Sequence, residues 1–179
     1  AVQRAVRDLT AGDDTAADTL TTDIAGAIHR AASFPEAVSA ALGTLRDRIN
    51  ARPVLLLEKI GDEYRSSECA IPARGLLINR LTHYPHPLPL TRGDIQAWRK
   101  WATELRPGHL AEIETLDRAG VRIAVPLRTS HEIVGVILLG SPDSREAFTA
   151  AETKLIGGAA SVFALLIENA RLNTRELEQ

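Results

Sequence analysis

Residues Gly120 to Gly140, GVRIAVPLRTSHEIVGVILLG, hold two apolar segments on either side of a short polar one. Val121, Ile123, Val125 and Leu127 alternate with Arg122, Ala124, Pro126 and Arg128, the period-2 pattern of a strand with one buried face. Thr129 to Glu132 predicts a hairpin turn. The return segment, Ile133 to Gly140, is apolar on both faces, with Ile133, Ile137 and Leu139 directed one way and Val134, Val136 and Leu138 the other. Such a strand belongs in the middle of a sheet, covered above and below. Gly135 within it admits a close neighbour.

The rest of the chain must supply that cover. Ala1 to Gly12 is ambiguous, and Asp13, Asp14 and Thr15 are helix-start residues. Leu20, Ile24, Ala27, Ala31 and Phe34, widened by Ile28, form a helical stripe. Ser33 caps a second helix with Pro35 in its first turn and Val38, Ala41, Leu42, Leu45 and Ile49 on its apolar face; Asn50 and Pro53 end it. Val54 to Ile60 predicts a strand, Gly61-Asp62 a turn, and Glu63 to Ile71 one partner strand closed by Pro72. Arg74 to His83 predicts a short helix, and the prolines of Tyr84 to Leu90 allow at most an edge strand. Thr91 to Leu105 is helical, with Trp98, Trp101 and Leu105 on one face. Pro107-Gly108 breaks it before a further short helix over Leu110 to Arg118.

Thr149 and Glu152 form a capping box at the start of the last helix. Ile156, Ala159, Phe163, Leu166, Ala170, Asn173 and Leu177 then repeat in a strict heptad, and the polar half beyond Ile167 fits a two-stranded coiled coil. The order of elements predicts an α+β domain, a central antiparallel β-sheet flanked by helices, with long N- and C-terminal helices. Residues 1–34 are expected to form an N-terminal signalling helix, 35–167 the domain, and 168–179 the start of a coiled-coil linker.

Composition narrows the role. The 179 residues suffice for one core, 45% of them are hydrophobic and 25% charged, and the net charge of -2 has no basic stripe of the kind nucleic acid requires. No uninterrupted apolar run reaches the roughly 18 residues of a membrane span, and no secretory signal precedes the domain. Cys69 stands alone, so no intrachain disulfide forms and a reducing, cytoplasmic setting is expected. A start at Ala1, the lack of any Met and a polar helical end suggest a piece of a longer protein.

Val125-Pro126-Leu127, Gly135 to Gly140, Phe148 to Glu152 and Glu168 to Leu172 resemble the C-terminal half of a GAF domain. In that family a V-P-L strand leads into a G-V-x-x-L-G return strand, an F-x-x-x-E helix start and an E-N-A-R-L exit. LLINRLTHYPHPLPL resembles the helix and proline-led edge strand of the same family, so the likeness covers about Ala37 to Leu172. LLGSPDS followed by FTAAE is most similar to GAF domains that precede SpoIIE-type serine phosphatases. The resemblance implies a non-catalytic bacterial sensor that relays its state through terminal helices to an output domain, a serine/threonine phosphatase. The alternative it leaves open is a ligand-free dimerisation module of a histidine kinase or diguanylate cyclase. It implies no particular cofactor: the Asn-Lys…Phe…Asp-Glu set of cyclic-nucleotide binders, the bilin Cys-His pair and the cysteines of the methionine-sulfoxide reductases are missing.

Trp98, Trp101, Val125, Leu127 and Val136 are the candidate ligand-pocket residues, weighed against ordinary helix-to-sheet core. Ile24, Phe163, Leu166, Ala170, Asn173 and Leu177 are the candidate homodimer residues, Asn173 setting register. Gly157-Gly158 fits either a dimer contact or close packing on the domain's own elements. His83 and His86 lack a third metal ligand, so no metal site is expected; His109 and His131 read as local or exposed, Cys69 as a buried hydrophobe, and Asp62-Glu63 as a turn.

Overall fold

Strand β6, Ile133–Leu139, lies between β1, Val54–Ile60, and β5, Ile123–Arg128, in the computed structural model of the chain. The structure describes residues 18–142, 145 and 147–178; the helix start expected at Asp13 to Thr15 lies outside them. The remaining strands are β2, Glu63–Arg65, β3, Ala70–Pro72, and β4, Leu88–Pro89, and the antiparallel sheet runs β3-β2-β1-β6-β5-β4. Every residue of β6 is buried, which is why it takes a central place.

The helices are α1 (residues 18–30), α2 (Phe34–Ile49), α3 (Leu76–His83), α4 (Arg92–Leu105), α5 (Leu110–Arg118) and α6 (Ala150–Leu177). Helices α1, α2 and α6 cover one face through Leu20, Ile24, Leu45, Ile156 and Phe163, packed on Leu56, Ile123, Val125, Leu127 and Ile137. Helices α3, α4 and α5 cover the other through Leu77, Leu81, Ile95, Ile113 and Leu116, packed on Leu57, Tyr64, Ala124, Val136 and Leu138. The arrangement is the α+β fold expected from the order of elements. Strand β5 has both faces buried rather than the expected one, because Ala124 and Pro126 lie under the α3–α5 layer side of the sheet.

Caps fix the helix ends. Ser33 Oγ accepts from the Glu36 N–H at 3.4 Å, and Asn50 closes α2 in the left-handed region at φ 58°. Thr149 and Glu152 form the expected capping box at α6. By length and composition α6 could cross a membrane, but Ile156, Ala159, Phe163 and Ile167 bury it against the sheet as a core helix.

Three further expectations are corrected. The single strand predicted for Glu63 to Ile71 is two, β2 and β3, because Ser66 Oγ accepts from the Glu68 and Cys69 N–H groups and turns the chain. In β6, Leu127 pairs with Gly135 but Arg128 with Ile133, so Val134 is an extra residue. This bulge puts Val134 on the α6 face with Ile137 and Leu139 and moves Ile133 to the opposite face. Helix α4 buries Ile95 and Ala102, with Trp98 half-buried between them, whereas Trp101 is 38% and Leu105 62% exposed. The buried line of α4, Ile95 to Ala102, is therefore rotated from the one that the tryptophans suggest, and it faces the layer α4 shares with α5.

Glycines mark the tightest approaches. A Cβ at Gly135 would stand 2.9 Å from the Leu57 carbonyl oxygen and 3.1 Å from Ile167 Cδ1. At Gly140 it would lie 2.6 Å from the Arg52 carbonyl carbon, on a rigid backbone. Gly140→Ala is therefore expected to cost about 1–3 kcal/mol through overpacking, read as a lower urea midpoint at unchanged slope.

Candidate functional site

The five expected pocket residues do not converge. Val125 and Leu127 belong to the core under α1, α2 and α6, while Val136 and Trp98 pack in the layer under α3–α5. Trp101 lies on the outer surface of α4, stacked on His109 with ring centroids 5.7 Å apart. Strand alternation separates Val125 from Val136, since residues paired across β5 and β6 share a face and these two are one register step apart. The layer beneath α3–α5 buries Leu57, Val136 and Leu138, and a small opening of about 210 Å³ at its margin is lined by Leu55, Cys69 and Thr115.

That layer contains a buried carboxylate that sequence reading did not single out. Glu112 of α5 is 4% exposed and accepts from the Leu76 N–H at 2.8 Å and the Leu77 N–H at 2.9 Å. Gly75, the residue before α3, has no side chain to cap the helix, so Glu112 satisfies its first amides from another element. A Cβ at position 75 would lie 2.8 Å from Glu112 Cδ, which ties the glycine to the carboxylate.

An open groove of about 530 Å³ lies between the last turns of α6 and the end of β1. Val134, Ile167 and Ala170 form its apolar floor, with Phe34 and Leu177 at its rim. Glu58, on the same face of β1 as Leu56, reaches into it from the sheet; Arg171 and Arg175 reach into it from α6. Burial raises the Glu58 pKa, and the opposing pull of Arg171 only partly offsets this. No ion pair joins Glu58 to either arginine among the described residues.

Beside the groove, Glu132 of the β5–β6 turn accepts from Lys59 Nζ at 2.7 Å and from Arg171 Nη1 at 3.2 Å. The Lys59 hydrogen bond chiefly lowers the Glu132 pKa. The triad ties the hairpin tip to β1 and to the end of α6, and its members are exposed enough that its contribution to stability is small.

The two glutamates have opposite pH signs. Glu132, lowered, stabilises the fold above the ordinary carboxylate range and loses this as pH falls through its folded value. Glu58, raised, favours the fold below the ordinary range and disfavours it as pH rises through its folded value. Glu58→Gln is therefore expected to raise the thermal midpoint at neutral pH. The gain should vanish in acid, where the native side chain is neutral as well; midpoints measured from neutral to acid pH check this.

Of the expected dimer residues, Ile24 and Phe163 are fully buried in the chain's own core and offer no surface to a second copy. Phe163 faces inward because the α6 stripe that packs on the sheet is Ile156, Ala159, Phe163 and Ile167, and Ile24 joins the same core from α1. Leu166 is half-buried, Ala170 and Asn173 line the groove, and Leu177 is 89% exposed at its rim. Gly157 packs toward Pro87 and Gly158 toward Thr21, so this pair serves close packing within the chain.

The histidines and the cysteine take quiet places. His83 Nδ1 lies 2.9 Å from the Asn79 carbonyl oxygen, Tyr84 meets His86 edge-on, and His131 is exposed in the turn. Among the described residues no three metal-ligating side chains gather. Cys69 is buried and its pKa raised, first by desolvation and then by Glu68, which disfavours the reactive thiolate. Sequence reading missed Glu58, Arg171 and Arg175 as one constellation. The available signal was an acidic residue in the otherwise apolar run VLLLE.

Solved structures with this architecture come from several bacteria. The GAF domain of a phosphoenolpyruvate-protein phosphotransferase from Coxiella burnetii matches at TM-score 0.63 and 16% identity, over 90% of this chain and 98% of that one. The corresponding domain from Acinetobacter gives 0.59 and 11%, over 87% and 93%. The GAF domain of a putative sensor histidine kinase from Pseudomonas syringae pv. tomato gives 0.56 and 17%, over 96% and 98%. At such identities these likenesses establish the fold alone. No curated protein matches the sequence. The GAF-domain family pattern matches residues 71–169, more than half of the chain, from β3 to the exit half of α6; the chain belongs to the GAF-domain family.

Proposed function

We propose that this domain is the regulatory, non-catalytic sensor of a bacterial cytoplasmic signalling protein and that α6 relays its state to an output domain. The observation that carries the reading is the division of α6. Its first half is locked into the sheet through Ile156 and Phe163, while Leu172 and Leu177 in its last turns are exposed. A shift in sheet packing therefore moves a helix that projects from the core, provided the input binds the two packings with different affinity. The likeness of 138–152 to phosphatase-linked members favours a serine/threonine phosphatase as the output.

The test uses the full-length protein. Two residues inserted after Glu168 rotate everything beyond by about 200°. Manganese-dependent hydrolysis of p-nitrophenyl phosphate is expected to change several-fold in that variant. Activity that ignores the insertion rules out the relay, and a protein with no phosphatase activity rules out the assigned output.

A second reading, a ligand-free assembly module of a histidine kinase or diguanylate cyclase, is favoured by the division of the expected pocket residues between the two core layers. Both readings include a homodimer joined through Leu166 and the exposed Leu177 of α6, with Ala170 and Asn173 left to the groove. Removal of residues 169–179 is expected to weaken self-association in sedimentation while the fold persists. Native mass spectrometry of the purified chain separates the two readings: a retained small molecule favours the sensor.

A further inference from the structure

The groove at the end of α6 is lined by Glu58 and Lys59 from β1, by Arg171 and Arg175 from α6, and by the apolar Val134, Ile167 and Ala170. Glu58 accepts no hydrogen bond among the described residues, and it does not close onto Arg171 or Arg175. Arg171 spends one bond on Glu132 and keeps further donors, and Arg175 is exposed with no ion pair among the described residues. Val134 and Ile167 line the same groove. The volume, about 530 Å³, falls in the range of small-molecule sites.

We propose that this groove binds a free apolar α-amino acid, its ammonium on Glu58, its carboxylate on Arg171 and Arg175, and its side chain on Val134 and Ile167. A simple anion would leave the Glu58 carboxylate without a partner, and a simple amine would face Lys59 and two arginines. A zwitterion supplies a counter-charge both to Glu58 and to the arginines, and a branched or aromatic side chain covers the apolar floor. Occupancy would fix the last turns of α6 against β1, at the point where the helix leaves the sheet.

Isothermal titration of the chain at neutral pH with L-leucine, L-isoleucine and L-phenylalanine tests this. At least one is expected to bind with a dissociation constant near or below about 1 mM. Leucinamide, which lacks the carboxylate, and 4-methylpentanoate, which lacks the ammonium, are expected to bind about tenfold or more weakly, as is leucine to Glu58→Gln. Ala170→Phe fills the groove from the half-buried helix face and should abolish binding, with circular dichroism reporting an intact fold. Failure of all three amino acids to bind at about 10 mM overturns the assignment. So does equal binding of 4-methylpentanoate, or undiminished binding to Glu58→Gln. Self-association that Ala170→Phe removes, without amino-acid binding, assigns the groove to a second copy and also overturns it. Calorimetry on this chain reads the ligand and the insertion variant reads the relay, so the two proposals fail separately.

Discussion

Phe163→Ala is expected to destabilise the isolated chain by about 3–5 kcal/mol, the cost of emptying a large aromatic site in a close-packed core. Phe163 has 0% exposure among side chains from α1, α2, α6 and the sheet. For a domain of this size the melting temperature should fall by roughly 6–20 °C. Thermal and urea unfolding at two protein concentrations decide the matter. A loss independent of concentration places Phe163 in the core of one chain. A loss seen only through weakened association would place it at a subunit contact and contradict the structure.

Glu112→Ala is expected to cost about 2–5 kcal/mol. Two amides at the start of α3 lose their acceptors inside the protein, and each orphaned group carries a penalty of about 1–3 kcal/mol. Glu112→Gln keeps one acceptor oxygen and should recover part of the loss. Hydrogen exchange adds the location: the Leu76 and Leu77 amides should lose protection in the alanine variant. A change below about 0.5 kcal/mol would mean that water replaces the carboxylate without cost, and that α3 does not depend on it.

Local chemistry was readable in this chain wherever it was self-contained. Thr149 and Glu152 are three residues apart and make their box without help from elsewhere. The prolines of 85–89 confine β4 to an edge, and the unbroken apolar run of β6 forces it inward. What distant elements decide was not readable. Trp98, Trp101 and Leu105 lie at helical spacing, yet the core layer shared with α5 takes Ile95, Trp98 and Ala102, a choice made by a neighbouring element and not by α4 itself. The bulge at Val134 shifts one residue across the sheet, which periodicity alone does not register. Glu58 and Arg171 are more than a hundred residues apart, and only the closing of α6 over β1 brings them to one groove. The heptad in α6 was real as a pattern, but its inner members were taken by the domain's own sheet before any partner arrived.

The two margins of the sheet have a consequence for how copies of this protein can meet. At one side stands β3, three residues long and ending in Pro72; at the other stands β4, two residues long and ending in Pro89. Ribbons so brief, and interrupted by imino acids, give an incoming strand almost no ladder to extend. Edge-to-edge polymerisation is thereby discouraged, and any lasting union between molecules is left to the helical exterior.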